Sequence, residues 1–215
     1  KIKTSCYIRP FYFVGQYGIN LHVTKKAPTH AVVFCFPFGD LFNKNGITAC
    51  ISKWKKFNDS STPTQAKMGG NYLNSILATQ DAKRRKFDEA ILLDKDNKVS
   101  EAPGENIFIV KNNILITPPI SSSALDGITR KSILEFSKNI KIKSKIREIS
   151  RDELKKADEV FLTGTAAEIT PVIKIETKKI GDGKVGETTK QVMNTYSEIV
   201  MNNNKKFSKW LTSVY

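Results

Sequence analysis

The sequence has little of what builds a metal centre or a disulfide scaffold. Its three cysteines, Cys6, Cys35 and Cys50, are scattered and odd in number, which points to a reducing, cytoplasmic setting. With two histidines, His22 and His30, and no cysteine pair at ligand spacing, no zinc or other metal site is expected. No apolar run approaches the roughly 20 residues that cross a bilayer, so no membrane association is expected, and the first residues do not resemble a cleavable signal segment. Acidic residues are also few, 21 against 35 Lys and Arg, which leaves a net charge of +14. The basic runs are short and dispersed, as in Lys83-Arg84-Arg85-Lys86 and Lys141-Ile142-Lys143-Ser144-Lys145. Neither aromatic interleaving nor a zinc finger accompanies them. Charge alone gives only non-specific attraction, so nucleic acid is not an expected partner.

What is present is an ordinary globular composition, 40% hydrophobic and 26% charged over 215 residues, enough for a sizeable core. Residues 1–36 read as strands and turns. Pro37-Phe38-Gly39-Asp40 is a turn cluster that suggests a junction over 37–45, with a larger domain over 46–215. Ile47 to Trp54 reads as a strand. A helix is expected from about Asn71 to Lys86, with Leu73, Ile76 and Leu77 on its apolar face. Short strands follow at Ala90–Asp94, from Val99, at Ile107–Val110 and at Ile114–Ile116. Gly127-Ile128-Thr129-Arg130 opens a second helix. Ser150-Arg151-Asp152-Glu153 is a capping box, in which Ser150 and Glu153 each satisfy the other's amide. Strands at Val160–Thr163 and Val172–Ile175 precede a last helix with Val192, Tyr196 and Ile199 inward. Strands and helices intermix without a repeat, which is an α/β or α+β architecture.

The chemistry lies in four segments. Lys67 stands in Gln65-Ala66-Lys67-Met68-Gly69-Gly70-Asn71-Tyr72, where the glycines leave room for a flat ring beside an amine. A lysine in such a place is a candidate covalent catalyst, most often with pyridoxal phosphate. That cofactor also requires an acid on its ring nitrogen, a group on its ring hydroxyl and an anion cradle. Glu101, in Ser100-Glu101-Ala102-Pro103-Gly104-Glu105-Asn106, is a candidate for the acid. Gly127-Ile128-Thr129 at a helix start offers free amides and the positive end of the helix dipole. Gly164-Thr165-Ala166 is a second small-residue turn with exposed amides. Each piece has a plainer reading. Glu101 could be a solvated turn carboxylate, Thr129 a helix cap, Thr165 a turn residue, Tyr72 part of the core and Arg9 a surface group. Glu105 and Glu168 are given supporting roles at most.

Together, Lys-x-Gly-Gly-Asn-Tyr, Gly-Glu-Asn-Ile-Phe, Gly-Ile-Thr-Arg and Gly-Thr-Ala-Ala-Glu-Ile-Thr-Pro-Val, in this order, closely resemble the branched-chain amino-acid aminotransferases of the fold-type IV pyridoxal-phosphate enzymes. The resemblance runs from Tyr7 to the C-terminus. It implies a large cofactor-binding domain and the end of a small domain, and transfer of an amino group between Leu, Ile or Val and 2-oxoglutarate. It implies that Lys67 is the Schiff-base lysine, that Tyr72 meets the cofactor ring oxygen and that Glu101 meets the ring nitrogen. Ile128, Thr129 and Thr165 would hold the phosphate. The Thr165 and Ala166 amides would hold the substrate carboxylate. Tyr7 and Arg9 match Tyr-Ile-Arg-Pro, whose arginine is associated with the distal carboxylate of glutamate. Ile19 and Leu21 match a loop that lines the neighbouring subunit's pocket, which implies a homodimer or a larger homo-oligomer. Two departures stand out. Leu41, followed by Phe42, replaces the tyrosine after the Pro-x-Gly turn. Much of the small domain that precedes the matched region in the family, with its phosphate-binding arginine, has no counterpart here, so a fragment or a short member is expected. The alternatives are a D-amino-acid aminotransferase or lyase on the same fold, or a non-catalytic remnant.

Overall fold

The computed structural model describes residues 2–19 and 21–213. The chain divides into two compact units, Lys1–Leu41 and Phe42–Tyr215.

The first unit is a hairpin. Strand β1 (Cys6–Val14) pairs antiparallel with β2 (Thr29–Pro37), with Cys6 opposite Pro37 and Val14 opposite Thr29. Aromatic residues of the two strands meet across them. Phe11 stacks on Phe34 with ring centres 5.5 Å apart, and Tyr7 lies 5.7 Å from Phe36. Such cross-strand pairs hold a ladder together. Even so, Phe11, Tyr12, Phe13, Val33 and Phe34 are all exposed.

The second unit is built on a mixed sheet. Its strands are β3 (Ile47–Ile51), β4 (Glu89–Leu93), β5 (Val99–Glu101), β6 (Asn106–Lys111), β7 (Ile114–Thr117), β8 (Lys143–Ile146), β9 (Glu159–Gly164), β10 (Glu168–Ile175) and β11 (Lys178–Lys179). Their order is β5-β4-β3-β10-β9-β6-β7-β8, with β11 on β10. The β10–β3, β3–β4 and β7–β8 pairs are parallel and the rest antiparallel. Among the described residues, four α-helices accompany it: α1 (Tyr72–Arg84), α2 (Ile128–Phe136), α3 (Arg151–Lys155) and α4 (Glu187–Val200).

The central strands are buried on both faces, so they read as continuous apolar runs. Along β6, Ile107 and Ile109 enter one core with Leu154 of α3, and Phe108 and Val110 enter the other with Ile133 and Phe136 of α2 and Val192 and Ile199 of α4. Phe108 stacks on Phe161 of β9 at 5.1 Å. The mixed α+β architecture expected from the sequence is therefore observed, as are the inward Val192 and Ile199.

Two expectations need correction, and one strand was not expected. Helix α1 does not bury Leu73 and Ile76, which are 59% and 57% exposed. It buries Asn74, Ser75, Ala78, Asp81 and Ala82. The small side chains let the helix lie close on β4, where Ala78 and Ala82 pack with Cys50, Ala90 and Leu92. The capping box is half formed. Ser150 Oγ accepts the Glu153 amide at 3.1 Å, but the Glu153 carboxylate is held by Arg147 at 2.6 and 2.9 Å. The basic run around Lys143 is a strand, β8, pairing parallel with β7.

Candidate active site

Six of the expected site residues converge within the second unit. A cavity of about 330 Å³ is lined by Lys67, Tyr72, Glu101, Ile128, Thr129 and Thr165 among others. Lys67 stands before a single 3-10 turn, Gly69–Asn71, that leads into α1, so Tyr72 is the helix's first residue. That short spacing brings Lys67 Nζ to donate to the Tyr72 hydroxyl at 2.7 Å. A Cβ at Gly69 or Gly70 would meet no protein atom within 4 Å. The chain's own packing does not call for glycine there, and the space lies open.

Glu101 ends β5 and is 5% exposed. Its Oε2 accepts from the Leu125 amide at 2.8 Å and from Asn106 Nδ2 at 3.2 Å, and its Oε1 lies 2.5 Å from Lys56 Nζ. A carboxylate with three donors is held in one orientation. Asn106 also donates to the Leu125 carbonyl at 2.8 Å. A Cβ on Gly127 would lie 2.0 Å from Asn106 Oδ1, so Gly127 is demanded by this close approach rather than by its φ of −67°.

Helix α2 begins at Ile128, with Gly127 at its N-cap and no side chain capping it. Its first amides are therefore open to an anion at the positive end of the helix. Thr129 is buried and Ile128 is 79% exposed. Arg130, buried behind them, donates to the Pro118 carbonyl at 2.9 Å and to Thr117 Oγ1 at 3.3 Å, which ties this turn to the end of β7. Gly164 and Thr165 also line the cavity. Ala166 follows in the same β9–β10 turn and is not among the lining residues.

Three lining groups carry more weight here than their sequence context suggests. Lys56 is one of two adjacent lysines. Thr163 was assigned only to a strand, yet its Oγ1 is buried without a hydrogen-bond partner. Glu105 was given a supporting role. Here its carboxyl is pushed up to about 7, chiefly by burial and then by the Glu89 carboxylate.

Tyr7 and Arg9 lie on β1 of the first unit, with Arg9 opposite Phe34. Ile19 and Leu21, in the connection between β1 and β2, are fully exposed.

These residues suit a phosphorylated aromatic aldehyde. They offer an amine beside a hydroxyl, a buried carboxylate, an uncapped helix start and an orphaned hydroxyl, all around one cavity. The match to known proteins agrees: the Amino-transferase class IV pattern covers residues 1–175, and the chain belongs to that family. The branched-chain-amino-acid aminotransferase of Escherichia coli (strain K12) is 39% identical over 215 residues, covering 98% of this chain and 70% of the relative. The crystal structure of the branched-chain aminotransferase of Thermoproteus uzoniensis with norvaline superposes with a TM-score of 0.94 at 38% identity, covering 98% of this chain and 69% of that one. The branched-chain amino acid aminotransferase of Thermobaculum terrenum, in its PLP form, gives a TM-score of 0.90 at 32% identity, covering 96% of this chain and 68% of that one. The chain thus spans about 70% of the length of the E. coli relative.

Proposed function

We propose that this chain carries the cofactor-binding domain of a cytoplasmic branched-chain amino-acid aminotransferase that uses pyridoxal phosphate and exchanges amino groups between Leu, Ile or Val and 2-oxoglutarate. The observation that carries the reading is the convergence of Lys67, Tyr72, Glu101 and the uncapped start of α2 on one cavity, in a chain 39% identical to an enzyme of that name.

When bound, pyridoxal phosphate supplies an aldehyde for amines and an electron sink for the substrate's α-carbon. The chain's own groups do the rest. Lys67 Nζ is the amine that would hold the cofactor, and once free of it would accept the substrate's α-proton and give it back, general acid–base work at a single atom. Tyr72 fixes the position of that amine through the 2.7 Å hydrogen bond and is assigned to the ring hydroxyl. Glu101, held by three donors, is assigned to the ring nitrogen. The Ile128, Thr129 and Thr165 groups are assigned to the phosphate, and the Thr165 and Ala166 amides to the substrate carboxylate. Thr163 Oγ1 is a further donor on the wall. Tyr7 and Arg9 are assigned to the distal carboxylate of glutamate. Ile19 and Leu21 are assigned to the pocket of a second copy in a homodimer, and their complete exposure within their own unit supports this.

The test uses the longest natural form of the chain, loaded with pyridoxal phosphate and given leucine and 2-oxoglutarate. Glutamate should form, and faster from branched-chain donors than from alanine or D-alanine. Transamination of other donors with none from leucine, isoleucine or valine would overturn the substrate assignment.

A further inference from the structure

Lys56 is held in the loop after β3 by backbone contacts on two sides. Its amide donates to the Leu93 carbonyl at 2.8 Å. The carbonyl of the preceding Lys55 accepts from Asn74 Nδ2 of α1 at 2.9 Å. The loop is thus pinned from β4 on one side and from α1 on the other, and the Lys56 side chain runs into the cavity. There Nζ meets Glu101 Oε1 at 2.5 Å, with the two side chains only 12% and 6% exposed. An exposed lysine–glutamate pair is worth little, but a buried one leaves an uncompensated charge when either partner is removed.

Other charged groups surround Glu101. Lys67, Glu105 and Asp126 line the same cavity, and Glu105 acts on Glu101 as a like charge. Arg130 acts on it as an opposite charge, while its own contacts go to Thr117, Pro118 and Asp126. Among the described residues, Lys56 is the cation that touches the Glu101 carboxylate. The uncharged donors, Asn106 and the Leu125 amide, both act on Oε2, so Oε1 depends on Lys56.

We infer that Lys56 is a positioning residue for Glu101, holding one of its oxygens so that the carboxylate is correctly turned before any cofactor arrives. The inference deepens the proposed function, since it explains how the ring-nitrogen partner is kept ready. The ion pair itself belongs to the cofactor-free chain and is tested there.

The cofactor-free protein and its Lys56→Met, Lys56→Arg, Glu101→Gln and Lys56→Met/Glu101→Gln variants are unfolded with denaturant between pH 5 and pH 8. In Lys56→Met the buried Glu101 carboxylate is left without the cation that touches Oε1. Removing one partner of a buried pair leaves an uncompensated charge, and that cost is felt where carboxyls are ionised and relieved where they take up protons. The midpoint deficit of Lys56→Met relative to wild type should at least double from pH 5 to pH 8. Lys56→Arg should keep a deficit independent of pH, because it restores the cation. On the Glu101→Gln background, Lys56→Met should have no pH-dependent effect. A deficit equal at every pH, or one that widens as much when Glu101 is already Gln, would overturn the inference and leave Lys56 as packing. Titrating pyridoxal phosphate into the same proteins separates the two readings. If wild type does not bind it, the functional assignment fails, while the pH comparison still decides the role of Lys56.

Discussion

Glu105→Gln gives a sharp quantitative prediction. Glu105 is 8% exposed, at the end of the turn into β6, and its carboxyl accepts the Gly104 amide at 3.1 Å. Burial raises it most. The Glu89 and Glu101 carboxylates raise it further, and the Gly104 amide and the Lys67 charge offset part of this, leaving it at about 7 against an ordinary 4.5. In the unfolded chain the group loses its proton near 4.5, and in the folded chain only near 7. Between those values the folded state binds more protons, so Glu105 makes stability fall as pH rises, until the fall is complete above about 7. The full drop corresponds to about 3 kcal/mol. For a fold of this size that is about 6–12 °C in midpoint temperature. Glutamine has the same shape, retains an oxygen for the Gly104 amide and does not titrate. The variant should match wild type near pH 4.5 and exceed it by that margin near pH 8, measured by thermal or denaturant unfolding of the cofactor-free protein. Glu89, also raised by burial, contributes a slope of its own, which the difference between the two proteins largely removes. Parallel curves for wild type and variant across this range would refute the reasoning.

Gly127→Ala should destabilise the protein by about 1–3 kcal/mol through overpacking, because the new Cβ would fall 2.0 Å from Asn106 Oδ1; an unchanged unfolding midpoint would show that Asn106 moves freely. Glu101→Gln should lower the turnover of the loaded enzyme by about a hundredfold and weaken cofactor binding far less, as read from kcat and a cofactor titration; wild-type turnover would return Glu101 to the status of a structural carboxylate. Leu21→Asp should impair dimer formation or substrate binding, since it puts an unpaired charge in an apolar contact; light scattering that shows a fully active monomer of the natural-length chain would contradict the assembly.

Much of the site is legible in the sequence because its parts are local. Lys67 and Tyr72 are five residues apart on one turn, and Gly127-Ile128-Thr129 marks a helix start by composition alone. Glu101 is harder to read. Nothing in its own segment tells a buried, thrice-bonded carboxylate from a solvated one, and the distinction comes from Leu125 and Lys56, which are distant in the chain. Lys56 is hidden for the same reason: it is one more lysine in a basic chain until β3 and β4 place it over Glu101. The inward face of α1 was misread because apolar spacing favours Leu73 and Ile76. Close approach to β4 selects the small residues Ala78 and Ala82 instead, and burial of Asn74 follows from its bond to the Lys55 carbonyl. Strand β8 was missed because Lys143 and Lys145 suggest a solvated run. Its backbone pairs with β7 whatever its side chains prefer.

The central claim is that Lys67 is the amine that holds the cofactor. The longest natural form of the chain is loaded with pyridoxal phosphate, reduced with borohydride and cut into peptides whose masses locate the phosphopyridoxyl group. The account predicts one modified site, Lys67, and none in a Lys67→Ala variant that keeps its fold. A label on another lysine, or one spread over the surface lysines and unchanged by Lys67→Ala, would contradict it.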